Sequence, residues 1–127
     1  MAMSDDLRVL VVDEDPDVRE LTVTFVERAG DGLDTESAAS GSTALERLEA
    51  EEFDAVVSDY RMPGMNGIEL AEAVQDHGID VAFVLFSAAD DPETATAVDE
   101  SPVDEFVLKG SGTDHYDDIV AAIHDGL

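Results

Sequence analysis

Four short apolar runs in this chain stop abruptly at side chains able to do chemistry. Leu7-Arg8-Val9-Leu10-Val11-Val12 ends at Asp13 and Glu14, and Asp54-Ala55-Val56-Val57-Ser58 ends at Asp59. Val81-Ala82-Phe83-Val84-Leu85-Phe86 ends at Ser87, and the run over 103–108 ends at Lys109. Carboxylates gathered in one crevice repel each other unless a pKa rises or a cation joins them. Oxygen donors without His or Cys favour a hard ion such as Mg²⁺, which keeps waters and often meets a phosphate. A carboxylate can also attack phosphorus and form an acyl phosphate. Lys109 adds a flexible point charge suited to a phosphoryl oxygen, and Ser87 adds a hydroxyl that can hydrogen-bond another. Such transfer needs mainly positioning and charge neutralisation. Together these residues imply Mg²⁺-dependent phosphoryl transfer to an aspartate.

Each residue alone has a plainer reading. Acidic residues number 32 of 127, so an acid after a strand is unremarkable by itself. A serine before a helix is commonly a cap. Lys109 differs, because it is the sole lysine and stands at a strand end. Asp15 and Asp17 read as solvated helix-start charges favoured by the macrodipole. His77, His115 and His124 lie apart and read as surface histidines, and Tyr116 reads as core.

The elements that must position these residues follow from periodicity. The apolar, β-branched run before Asp13 predicts a buried strand. After Pro16, the residues Val18, Leu21, Thr22, Phe25 and Val26 predict one buried helical face ending near Gly30. Leu33 to Ala38 is a weak strand candidate, and Ser40 can cap a helix carrying Ala44, Leu45 and Leu48. The loop Tyr60-Arg61-Met62-Pro63-Gly64-Met65-Asn66-Gly67 is dense in turn formers and leads into a helix through Leu70, Ala71 and Val74 to about His77. Pro92 opens a short polar helix, and Tyr116, Ile119, Val120 and Ile123 mark a last one. Strands alternating with helices mean a parallel sheet covered on both sides. Five such units fit a flavodoxin-like doubly wound α/β sandwich, a five-stranded parallel sheet in order 2-1-3-4-5. In that order strands one and three adjoin where strand order reverses, so Asp13, Glu14 and Asp59 are expected to converge there.

Length and charge bound the rest. At 127 residues without a Pro/Gly/Ser-rich linker, one domain is expected over 1–127. The net charge of −26, with 44 % apolar residues, describes a chain that folds but repels nucleic acid and anionic membranes. No run approaches the roughly 18 apolar residues of a membrane span. The first residues lack a signal peptide's features, and there is no cysteine. These point to the cytoplasm. The acids are spread along the chain, and five of the six basic residues are Arg, a composition similar to that of proteins from salt-loving archaea. Stability is expected to fall in dilute buffer, where such charge is unscreened.

The segments Val11-Val12-Asp13-Glu14-Asp15-Pro16, Ser58-Asp59-Tyr60-Arg61-Met62-Pro63-Gly64-Met65-Asn66-Gly67, Phe86-Ser87-Ala88 and Phe106-Val107-Leu108-Lys109 resemble the receiver domain of two-component response regulators. The resemblance covers nearly the whole chain. With the acidity, the ending Lys109-Gly110-Ser111-Gly112-Thr113 looks like the haloarchaeal branch. The resemblance implies that Asp59 is the phospho-acceptor, charged by a histidine kinase or a small phosphodonor. It implies Glu14 as direct Mg²⁺ ligand with Asp13 in support, Asp59 itself, and the backbone carbonyl of Arg61. Ser87, Lys109 and the backbone amide of Ala88 would contact the phosphoryl group. Ser87 and Phe106 would act as switch residues, reshaping the face of helix four, strand five and helix five. Dimerisation through that face, and a downstream protein or attached sensor or kinase domain as output, are further implications. The chain then reads as a stand-alone receiver or as the first domain of a longer protein.

Three features depart from the family pattern. Gly110 follows Lys109 where the family has proline, Phe106 lacks a tyrosine hydroxyl, and Arg61 and Ala89 occupy positions that tune phosphate lifetime. The runner-up is a haloacid-dehalogenase-like phosphatase with Asp13 as nucleophile in Asp13-Glu14-Asp15; it leaves Asp59 without a role. A calcium loop from Asp13, Asp15 and Asp17 fails, because Val18 stands where the turn needs Gly and Thr24 where a bidentate Glu is needed. An inert binding module predicts no metal dependence.

Overall fold

The protein is described by a computed structural model over residues 7–29, 33–60, 62, 64–87 and 103–108. Its elements are β1 (Leu7–Val12), α1 (Pro16–Ala29), β2 (Leu33–Ala38), α2 (Gly41–Ala50), β3 (Ala55–Ser58), α3 (Gly67–Asp76), β4 (Ala82–Ser87) and β5 (Glu105–Leu108). All strand pairs are parallel, in the order β2-β1-β3-β4-β5. The expected doubly wound sheet is therefore the observed one. The helices expected over 92–99 and beyond 113 lie outside the described residues.

The central strands are continuous apolar runs because both of their faces are covered. Alternate residues of β1 go to opposite sides. Leu10 and Val12 join Ala44 and Leu48 of α2 and Leu70, Ala71 and Val74 of α3 in one core cluster. Val9 and Val11 join Val57, Val84, Phe86, Val107 and Val26 of α1 in the other. β2 reads weakly because it is an edge strand with Asp34, Thr35, Glu36 and Ser37 in its middle. Its six in-register pairs with β1, from Leu7↔Leu33 to Val12↔Ala38, hold it in place.

Of the face expected on α1, Leu21 departs, and the Phe25 side chain lies outside what is described. Thr22 and Val26 are buried and Val23 packs against the core, whereas Leu21 is 48 % exposed. The inward stripe runs from half-buried Val18 through Thr22 to Val26 and is flanked by Val23, so Leu21 falls beyond its other border at 100° per residue.

Two aspartates set the starts of β3 and β5. The Asp54 carboxylate accepts the Arg8 N–H at 2.8 Å, while the Asp54 N–H donates to the Arg8 carbonyl at 2.8 Å. Asp104 does the same with Phe83, at 2.7 and 2.9 Å. Regular pairing therefore begins at Ala55 and Glu105, one and two residues later than the apolar runs suggest.

Toward the N-terminal end of the sheet, Arg8 and Arg47 share Glu36 and Glu51. Arg8 also lies over the Phe53 ring, 4.4 Å from its centroid. Hydrogen bonds from Arg47 and then Arg8 hold the Glu36 carboxyl below its ordinary range. Those from Arg8 and then Arg47 do the same for Glu51.

Candidate functional site

The site sits where β1 and β3 end. Val12 pairs with Ser58, and the ladder runs one step further, the Asp59 N–H donating to the Val12 carbonyl at 2.9 Å. Asp13 and Asp59 thus emerge side by side from adjacent strands. Asp13 is only 5 % exposed, Asp59 is half-buried and Glu14 is exposed. Glu14, the third acid expected at this strand end, directly follows Asp13 and is exposed. Among the described residues, no three His, Cys, Asp or Glu side chains stand close enough to hold a metal unaided.

The loop after β1 is built from its own side chains. Asp13 Oδ1 accepts the Asp15 N–H at 3.0 Å, and the Asp13 N–H donates to the Ala38 carbonyl at 3.2 Å. Arg19 Nη1 donates to the Asp13 carbonyl at 2.9 Å. Asp15 is more than a solvated charge. Its Oδ1 accepts the N–H groups of Asp17 at 2.9 Å and Val18 at 3.4 Å, capping α1. Asp followed by Pro16 is the sequence signal of a cap with proline at the first helical position. Arg19 has no comparable signal, because its contact depends on how the helix leaves the sheet.

The loop after β3 is fixed just as closely. Asp59 Oδ1 accepts the Tyr60 N–H at 2.9 Å, and the buried Ser58 hydroxyl donates to the Asp59 carbonyl at 2.9 Å. Met62 is buried and anchors the turn, while Gly64 adopts φ +83°. Asn66 and Glu69 form a reciprocal capping box at 2.8 and 2.9 Å, legible as Asn-x-x-Glu. Gly67 donates its N–H to the Tyr60 carbonyl at 2.9 Å. A Cβ on Gly67 would lie 2.5 Å from the Asp59 carbonyl oxygen and 2.5 Å from Leu85 Cδ1. The start of α3 is therefore pressed onto the backbone of Asp59.

Ser87 closes β4 opposite Leu108 of β5, two positions beyond Leu85, the partner of Ser58. Phe106 sits in β5 opposite Leu85. The side chains of Ser87 and Phe106, and residues Arg61, Ala88 and Lys109, lie outside what is described. His77 is an exposed surface histidine, 2.9 Å from Glu49; His115, His124 and Tyr116 lie outside the described residues.

The donors present, carboxylate and carbonyl oxygens with one carboxylate buried, fit a hard divalent cation. A pair of acids suffices for an ion that keeps its waters and leans on one or two carboxylates plus a phosphate.

Comparison with known proteins agrees with this geometry. The family model of the response regulator receiver domain matches residues 9–123. The chain is similar to the DNA-binding response regulator MtrA of Mycolicibacterium smegmatis, 37 % identical over 103 residues, 80 % of this chain and 43 % of that protein. It is also similar to the probable transcriptional regulatory protein NarL of Mycobacterium tuberculosis, 34 % identical over 105 residues, 83 % of this chain and 49 % of that one. The solved receiver domain of that NarL superposes with TM-score 0.82 at 30 % identity, covering 96 % of this chain and 98 % of the other. The chain spans less than half the length of these two curated relatives. It belongs to the response regulator receiver domain family, and this domain is a phosphorylation-dependent signalling switch rather than a haloacid-dehalogenase-like phosphatase.

Proposed function

We propose that Asp59 is the phospho-acceptor and that Glu14, supported by Asp13, together with Asp59 itself and the Arg61 carbonyl, would hold Mg²⁺ there. The observation that carries this reading is the ladder bond from Asp59 to Val12, which sets the two aspartates at neighbouring strand ends. When bound, Mg²⁺ supplies positive charge against the phosphoryl oxygens. An Asp59 carboxylate oxygen attacks phosphorus, the bond to the donor breaks, and the leaving group departs with that electron pair. The product is an acyl phosphate on Asp59. Lys109, Ser87 and the Ala88 amide hold the phosphoryl oxygens, and Ser87 and Phe106 carry the change to the face of helix four, strand five and helix five.

The donor is a histidine kinase or a small acyl phosphate, and the output is a downstream protein or an attached domain. A similar stretch occurs in the sensor kinase/phosphatase CqsS of Vibrio cholerae, at 26 % identity. We place the protein in a salt-rich cytoplasm. The net charge of −26 supports the salt, and no described helix is long and apolar enough to cross a membrane. Homodimerisation through the switching face is checked by light scattering with and without a phosphoryl mimic.

The deciding experiment incubates the protein with acetyl phosphate in high salt, with and without Mg²⁺. Borohydride reduction and peptide mass spectrometry then locate the adduct. A Mg²⁺-dependent adduct on Asp59 is expected; an adduct on Asp13 would overturn the assignment.

A further inference from the structure

We propose that Arg19 is a positioning residue for the acidic site, holding the main chain of Asp13 so that its carboxylate stays beside Asp59. The proposal rests on the metal-site reading above and adds to it a residue with no role there. Arg19 is half-buried in the first turn of α1. Its own N–H closes onto the Asp15 carbonyl at 2.9 Å, while its guanidinium turns back to the Asp13 carbonyl at 2.9 Å. Asp13 is thereby held on three sides. Its N–H is tied to β2, its Oδ1 is tied to the loop, and its carbonyl is tied to α1 through a charge-assisted bond from Arg19. The first two ties are main-chain donors or acceptors that any sequence could supply. The third spans six positions of chain and depends on one side chain.

Arg19 acts on a bound cation in two opposed ways. Its positive charge repels the ion, so removing charge alone would tighten Mg²⁺ binding. Its hydrogen bond orders a ligand, so removing position would weaken it. Partners that orient metal ligands are typically worth about 10–100-fold in affinity. In molar salt, where the Debye length is about 3 Å, the charge effect shrinks to less than about twofold. The sign of the change therefore separates the two roles.

The test is calorimetric titration with MgCl₂ in molar KCl, on the whole chain and without phosphodonor. Arg19→Ala is expected to weaken Mg²⁺ binding about tenfold, and Arg19→Lys to recover most of it. Arg28→Ala, which removes an exposed cation from the same helix, is expected to leave binding unchanged. In acetyl phosphate assays, Arg19→Ala should raise the Mg²⁺ concentration for half-maximal rate more than it lowers the rate at saturating Mg²⁺. Equal or tighter Mg²⁺ binding by Arg19→Ala, or an equal loss in Arg28→Ala, overturns the proposal. If a thermal melt shows Arg19→Ala unfolded, the comparison passes to Arg19→Gln, whose shorter uncharged side chain also gives up the contact. Wild-type binding no tighter than that of Asp13→Asn would instead overturn the metal-site reading itself.

Discussion

Gly67 shows how a residue without a side chain can shape a reacting one. A Cβ there would sit 2.5 Å from the Asp59 carbonyl oxygen, a main-chain atom that cannot swing aside, and 2.5 Å from Leu85 Cδ1. Gly67→Ala must push α3 off the strand end or displace the Asp59 peptide. We expect a loss of about 1–3 kcal/mol in urea denaturation, with a fall in phosphoryl acceptance beyond what lost stability explains. Gly78 is the control. It has φ +70° with open space around it, so Gly78→Ala loses stability through backbone strain alone and should keep the acceptance rate. Equal rates in the two variants would mean that α3 does not set the position of Asp59. At this scale the sequence was partly legible. Asp13 and Asp59 were found because apolar runs end at them, and their pairing followed from strand order. Glu14 stood out as the next acid in the run, and it is exposed in the loop that follows β1. Ser58 and Arg19 gave no signal, since a hydroxyl inside a strand and an arginine on a helix acquire meaning only from what the fold sets opposite them.

Among the elements, β2 and α2 are tied by charge rather than by apolar contact alone. Arg8 of β1 and Arg47 of α2 share Glu36 of β2 and the helix-capping Glu51. The folded-state pKa of Glu36 is lowered, so its contribution is present above the ordinary carboxylate value of about 4.3 and is lost as pH falls through the lower folded value. Glu36→Gln should lower the melting temperature by roughly 2–5 °C at neutral pH. The gap from wild type should close on acidification below about pH 4. A gap that does not change with pH would assign the loss to packing. The strong strands β1 and β4 were legible as long apolar runs. The edge strand β2 was faint because its neighbour supplies most of its order. The starts of β3 and β5 were misread by a residue or two, because Asp54 and Asp104 turn their carboxylates onto adjacent strands. Leu21 was misassigned because three nearby apolar residues leave the angle of a helical stripe loosely defined.

The molecule as a whole carries −26 charges on 127 residues. Self-repulsion of that size weakens any compact state and is screened by salt. The melting temperature should rise by roughly 5–15 °C between about 0.1 M and 2 M KCl. It should level off once the Debye length falls to about 3 Å. NaCl at equal ionic strength should give the same curve, because screening is indifferent to the ion's identity. A flat profile would mean that the acidity serves something other than tolerance of salt. The same salt should shrink the Glu36→Gln penalty, since an ion pair open to solvent is screened along with the repulsion.

The parallel order of the sheet also decides when the site comes into existence. β1 lies between β2 and β3, and the contact that joins β1 to the start of β3, from Arg8 to Asp54, closes a loop of 46 positions. Such non-local closures are slow to form, because chain entropy is lost before packing returns it. During synthesis Asp13 emerges early and waits without its neighbour until β3 has left the ribosome and docked. The two aspartates meet only once β1 and β3 have paired at the centre of the sheet.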